Sequence, residues 1–423
     1  LVVQHTLQNG ILVLMESIPH FRSASIGVWF KTGSIQETDD QYGMAHFIEH
    51  MLFKGTSSRT ARRIAEEIDA VGGQLNAFTA KEYTCFYTKV MDEHIPIAID
   101  ILGDIVCNPL FDEKDIRNEK NVVAEEILMA EDTPEDVCHE TLMNAALGEH
   151  PLSHPILGSQ ESVHGFTREQ VRAFYDDHYA TGPCIISASG HFDTDEMLAW
   201  LTEAFCGWKR HDSVHTAPAE PVDIISHDTA AFRRKDIEQT HLCMAFPGVS
   251  IADDILFPLL AVNTVLGGGI SSRLFQNIRE EKGLAYEIYS YPSSYIGGGL
   301  MTIYAGTSPG EAETVLDMIR REVDILRKNG LNDEELGRAK DQMKGNYFLG
   351  LENLSSRMSS FAKSQIHLGY VRTPQMVLSN IDNITPEAVR DVIERVFDTD
   401  RISLAVVSRD KPDHGFSQYL RRS

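Results

Sequence analysis

The sequence predicts an α+β fold of two structurally similar repeated domains, each a mostly antiparallel sheet with helices packed on one side. Its 423 residues exceed the size at which a single hydrophobic core stops growing, so at least two domains are expected. Three segment pairs then recur in order at a nearly constant offset. FDEKDIRNEK, from Phe111, resembles LNDEELGRAK, from Leu331, at 220 residues. At 218, TREQVRAFY from Thr167 resembles TPEAVRDVI from Thr385, and TGPCIISAS from Thr181 resembles TDRISLAVV from Thr399. Each half also follows one order: strands before helices, a long amphipathic helical region, then a helix leading into a final strand. The expected domains are residues 1–211 and 229–423, joined by DSVHTAPAEPVDIISHD, residues 212–228, which has two prolines and little periodicity.

In order along the first half, Leu1 to Glu16 alternate around an Asn9-Gly10 turn and read as a hairpin, not as a basic and apolar export signal. Ser25 to Thr32 read as a buried strand and Met44 to Phe53 as a helix. A second helix, Thr60 to Val71, ends at the Gly72-Gly73 stop signal. Leu75 to Val90 alternate as two strands with a turn near Ala80-Lys81. Two long helices follow, Ile95 to Cys107 and Asp112 to Ala130, and Pro134 opens another at a first-turn position.

Composition excludes several classes. No run approaches the roughly 18 apolar residues of a membrane span. A formal charge of −24 would repel nucleic acid and favours basic partners or plain solubility. The six cysteines, Cys85, Cys107, Cys138, Cys184, Cys206 and Cys243, form no CxxC pair and read as reduced core thiols. LGGGISS, from Leu266, is a flexible loop and not a phosphate cradle, since no P-loop lysine follows.

The chemistry concentrates in HFIEH, residues 46–50. Four residues apart on a helix, His46 and His50 share a face and can aim ring nitrogens at one ion. Glu49 lies beside them, placed to take a proton from an activated water. The bland alternative is a helix face rich in titratable groups. A catalytic zinc needs a third protein ligand and an open position, and the helix Asp112 to Ala130 offers Glu119, Glu125 and Glu126, with Glu131 just beyond. Glu119 and Glu126 lie two turns apart on one face, so one could ligate while the other orients a histidine. The 220 offset sets Glu119 opposite Ala339 and Glu126 opposite Asn346, and the second half has no HxxEH.

The inverted motif in AHFIEHMLFKGT, with Glu126 in NEKNVVAEEI seventy-six residues after His50, resembles the inverzincin peptidases related to pitrilysin, insulysin and the mitochondrial processing peptidase. Length and duplication suit the short, processing-peptidase-like branch. The resemblance implies one Zn²⁺ per chain on His46, His50 and Glu126, Glu49 as general base and Glu119 as a supporting carboxylate. It makes GGQLNAFTAKEYTCF a substrate-holding edge strand in which Asn76, Ala77 and Phe78 pair with an extended peptide. It assigns Arg279 and Tyr286, in RLFQNIREEKGLAY, to substrate and the tetrahedral intermediate. Asp136 and Glu140 match acidic residues that hold a substrate arginine.

Relatives that close a chamber use four such half-repeats, and this chain supplies two. A homodimer is therefore expected, with a heterodimer as the alternative. The implied function is a zinc endopeptidase acting on unstructured, basic peptides in a bacterial cytoplasm, or alternatively in the mitochondrial matrix. The competing reading is a non-catalytic scaffold of the same fold, like the respiratory-complex core proteins.

Overall fold

The computed structural model describes residues 2–180, 182–208 and 228–410. All of the expected linker at 212–228 except Asp228 lies outside the described residues.

The first sheet contains β1 (Val3–Thr6), β2 (Leu12–Ser17), β3 (Ser23–Phe30), β4 (Gln74–Thr79), β5 (Thr84–Met91) and β6 (Cys184–Gly190) in the order β1-β2-β6-β3-β5-β4. Only β2 and β6 run parallel; the other neighbours are antiparallel. The second sheet contains β7 (Ala230–Arg234), β8 (Thr240–Pro247), β9 (Ala285–Tyr295), β10 (Gly298–Thr307) and β11 (Ser403–Ser408) in the order β7-β11-β8-β10-β9, again with a single parallel pair, β7 and β11. Setting β2, β6, β3, β5 and β4 against β7, β11, β8, β10 and β9 reproduces both order and direction. The duplication read from sequence is thus a duplication of topology, and the α+β, mostly antiparallel class holds.

Strand alternation gives each sheet two apolar faces. On the first sheet, Val13, Ile26, Val28, Phe30 and Ile186 face a helical layer that includes Phe47, Leu102 and Phe174. Leu14, Trp29, Cys85 and Ile185 point the other way, onto Met358, Phe361, Ala362 and Ile366. Those last residues belong to the helix Leu354–Leu368, supplied by the second half of the sequence. The approach is close: a Cβ on Gly27 would meet Met358 Sδ at 2.6 Å. Polar anchors accompany it, with Ser355 Oγ 3.1 Å from Ser25 Oγ and Arg357 on Glu16 at 2.8 Å. The buried Trp29 indole donates to Ser187 Oγ at 2.8 Å.

The second sheet receives the reciprocal element. The helix Pro134–Leu147, from the first half, packs on β11, β8 and β7. An offset of 220 carries 134–147 onto 354–367, so repeat-equivalent helices have been exchanged. The compact units therefore differ from the contiguous halves expected from sequence. One comprises the described residues through Leu128, those from His154 to 208, and Leu349–Arg372; the other comprises Met129–Ser153, 228–348 and 373–410. An amphipathic pattern shows that a helix has an apolar face but not which sheet that face covers.

Candidate metal centre

Helix Met44–Leu52 carries the motif because its two faces are chemically opposite. Met44, Phe47, Ile48, Met51 and Leu52 are buried in the core, which turns His46, Glu49 and His50 away from it. The helix starts at Gly43, whose φ of +93° suits glycine and where a Cβ would lie 2.6 Å from Leu157 O. The buried Glu37 side chain caps this start, its oxygens accepting from Gly43 N–H at 2.9 Å and Ala45 N–H at 2.8 Å, while burial pushes its pKa up to about 8 against those two bonds.

Helix Glu113–Asp132 brings the distal glutamates. His46 Nε2 and His50 Nε2 lie 3.2 Å apart, and Glu126 Oε2 stands 3.7 Å from the first and 3.4 Å from the second. Ligand atoms 2.0–2.1 Å from one tetrahedral ion are separated by about 3.3 Å. The donor set thus fits zinc in type and spacing, and among the described residues it is the only cluster of histidine, cysteine and carboxylate atoms that could hold a metal. Two Nε2 atoms at 3.2 Å cannot both carry a proton toward each other, an arrangement suited to a cation between them.

Electrostatics distinguish the two histidines. Burial, reinforced by repulsion from His50, pushes His46 down to about 3 and keeps it neutral. Burial also opposes the charged form of His50, but Glu119, Glu126 and Glu49 outweigh it and raise its pKa. His50 Nδ1 lies 2.8 Å from Glu119 Oε1, the arrangement that orients a metal-ligating imidazole, while among the described residues no hydrogen-bond partner meets the buried His46 Nδ1. Burial would raise Glu119, but hydrogen bonds from His50 and Lys54 prevail and lower its pKa. Lys54 Nζ contacts Glu119 Oε2 at 2.5 Å. Glu49 stands beside the centre, its pKa raised by burial against the opposing hydrogen bond that Thr79 Oγ1 donates at 2.6 Å.

Asn76, Ala77 and Phe78 lie on β4, the edge strand of the first sheet, and Thr79 ends that strand. Asn76 Oδ1 accepts from Ala77 N–H at 2.8 Å, and Phe78 packs edge-on against Trp29 with ring centroids 5.6 Å apart. The structure therefore brings His46, His50, Glu49, Glu119 and Glu126 together in the first unit. Arg279, Tyr286, Asp136 and Glu140 belong to the second unit. There Arg279 is exposed above the Phe275 ring, 4.6 Å from its centroid, Tyr286 is exposed at the start of β9, and Asp136 is exposed on the helix Pro134–Leu147. Sequence reasoning missed Glu37, Lys54 and Thr79. Lys54 had a signal, since it follows His50 by four residues; the other two contacts span longer stretches without local pattern.

A duplicated α+β chain whose first repeat carries an HxxEH helix, a distal glutamate and an adjacent edge strand defines a class of zinc-peptidase-like proteins. Residues 12–160 match the insulinase description of peptidase family M16, and residues 165–343 match the M16 "inactive domain". The uncharacterized zinc protease YmxG of Bacillus subtilis is 40% identical over 408 residues, 96% of this chain and 98% of that protein. An uncharacterized zinc protease of Streptomyces coelicolor is 37% identical, covering 95% and 88%. A protease from Helicobacter pylori shares the fold, with a TM-score of 0.89 at 20% identity over 96% of this chain and 99% of that one. The chain belongs to peptidase family M16, the insulinase family.

Proposed function

We propose that this chain is a zinc-dependent endopeptidase that cleaves unstructured peptides in a chamber closed by a dimer. The convergence of His46, His50 and Glu126, with Glu49 held beside them, carries this reading. Zinc bound there would supply Lewis acidity to the attacking water and the peptide carbonyl. His46, neutral at physiological pH, is ready to ligate without losing a proton. Glu119 fixes the ring orientation of His50. Glu49 accepts a proton from the attacking water and returns it to the leaving amine, and its raised pKa suits a group that does both.

The edge strand supports a peptide substrate. Ala80 N–H bonds Tyr83 O to close the β4–β5 hairpin, so alternation leaves the backbone groups of Leu75, Ala77 and Thr79 facing the unpaired edge. Asn76 Oδ1 fills the Ala77 N–H position that an added strand would take. Arg279 and Tyr286 act on the substrate from the second repeat of the partner chain, and Asp136 and Glu140 attract its basic side chains. The complete ligand set and base disfavour a scaffold.

Cleavage of an unstructured, arginine-containing peptide by the wild type and Glu49→Gln, with zinc assayed on both, tests this. The variant should keep its zinc and lose about 10²- to 10⁴-fold in kcat. Zinc-loaded variant and wild type cutting equally would remove Glu49 from the chemistry; neither holding zinc in excess metal would sink the reading.

A further inference from the structure

The hydrogen-bonding line from the metal centre does not end at Glu119. Its Oε1 faces His50 Nδ1 at 2.8 Å and its Oε2 faces Lys54 Nζ at 2.5 Å, so each oxygen of a side chain only 4% exposed has its own charged or chargeable partner. Three carboxylates, Glu49, Glu119 and Glu126, converge on this small region, and a divalent ion together with one lysine balances them. We infer that Lys54 is a positioning residue of the metal centre, holding Glu119 against His50 and supplying the cation that lets a buried carboxylate stand beside a metal ligand. The inference rests on His46, His50 and Glu126 binding zinc.

A bland role competes. Lys54 follows a helix that ends at Leu52, and a cation there would stabilise the helix through its dipole whatever Glu119 does. Geometry separates the two roles, because the helical role is indifferent to Glu119, whereas the proposed one acts only through it. Without Lys54, Glu119 keeps a buried charge with half its partners and is free to turn from His50.

The test measures zinc affinity, by competition with a chromophoric chelator, on the full chain carrying Lys54→Met, Lys54→Arg, Glu119→Gln or Lys54→Met with Glu119→Gln. Lys54→Met should weaken zinc about 10-fold, within the range for partners of metal-ligating histidines. Lys54→Arg should restore nearly all of it, and the double variant should bind no more weakly than Glu119→Gln alone. Should Lys54→Met fail to fold by circular dichroism, Lys54→Gln takes its place. Unchanged affinity in Lys54→Met, or an equal loss in both Glu119 backgrounds, overturns the role while leaving the metal site standing. A wild type that binds no zinc overturns both.

Discussion

Glu37 lies buried beneath the start of the motif helix, its two oxygens each taking one backbone N–H. Glu37→Ala would orphan both donors next to His46. We expect a loss of about 1–3 kcal/mol in denaturant unfolding, with Glu37→Gln losing less because its amide oxygen still accepts one bond. Equal stability of the three proteins would show that the helix start is held by Gly43 and core packing alone. At this scale the sequence discloses spacing better than partnership. HxxEH is readable because four residues on a helix fix a distance; seven residues put Glu119 and Glu126 on one face, but the family resemblance was needed to single them out from Glu125 and Glu131. Thr79 reaches Glu49 across thirty residues by way of β4, a relation created by strand placement that no local pattern encodes.

The helix Pro134–Leu147 shows what an element adds to its residues. It presents Glu135 and His139 to Tyr289 on β9, with His139 Nδ1 also 2.8 Å from Tyr291 Oη, while His241 Nδ1 meets Tyr304 Oη at 2.8 Å. Burial lowers the pKa of both His139 and His241, against the opposing pull of nearby carboxylates. A depressed histidine contributes stability above its unfolded pKa of about 6.5 that is lost as pH falls below it, because the unfolded chain then takes up a proton that the folded one refuses. Melting temperature should therefore fall between pH 7.5 and 5.5, and less steeply in His139→Gln or His241→Gln. Identical slopes in all three proteins would place the acid sensitivity elsewhere. The start of this helix was legible from Pro134 at a first-turn position. Its docking on the second sheet was not, because a sheet in either repeat offers a similar apolar surface.

At the scale of the whole molecule, one chain carries one cluster of His46, His50 and Glu126 that could hold a metal and, in its other repeat, Arg279 and Tyr286. If the working site takes these from a second copy, a Glu49→Gln chain mixed with a Tyr286→Phe chain should recover up to about a quarter of wild-type activity, after exchange under mild denaturant, from the one kind of site with neither change. No recovery despite demonstrated subunit exchange would place both contributions within one chain. The reciprocal helices carry a second prediction. A fragment ending at 208 lacks Met358, Phe361 and Ile366, whose burial contributes on the order of 5–9 kcal/mol before entropy. It should bind a hydrophobic dye and unfold without a sharp transition, and adding residues 333–372 as a peptide should suppress the dye signal; cooperative unfolding of the fragment alone would make the helix dispensable.

That exchange also has a meaning in time. During synthesis the last strand of the first sheet is complete at Gly190, yet the helix that covers Trp29, Cys85 and Ile185 begins only at Leu354. At ribosomal rates of about 5–20 residues per second, the sheet waits roughly 10–30 s with one apolar face uncovered. Nascent chains of this protein should therefore pass through a stage in which they depend on chaperones, and slow codons between the two repeats would lengthen it.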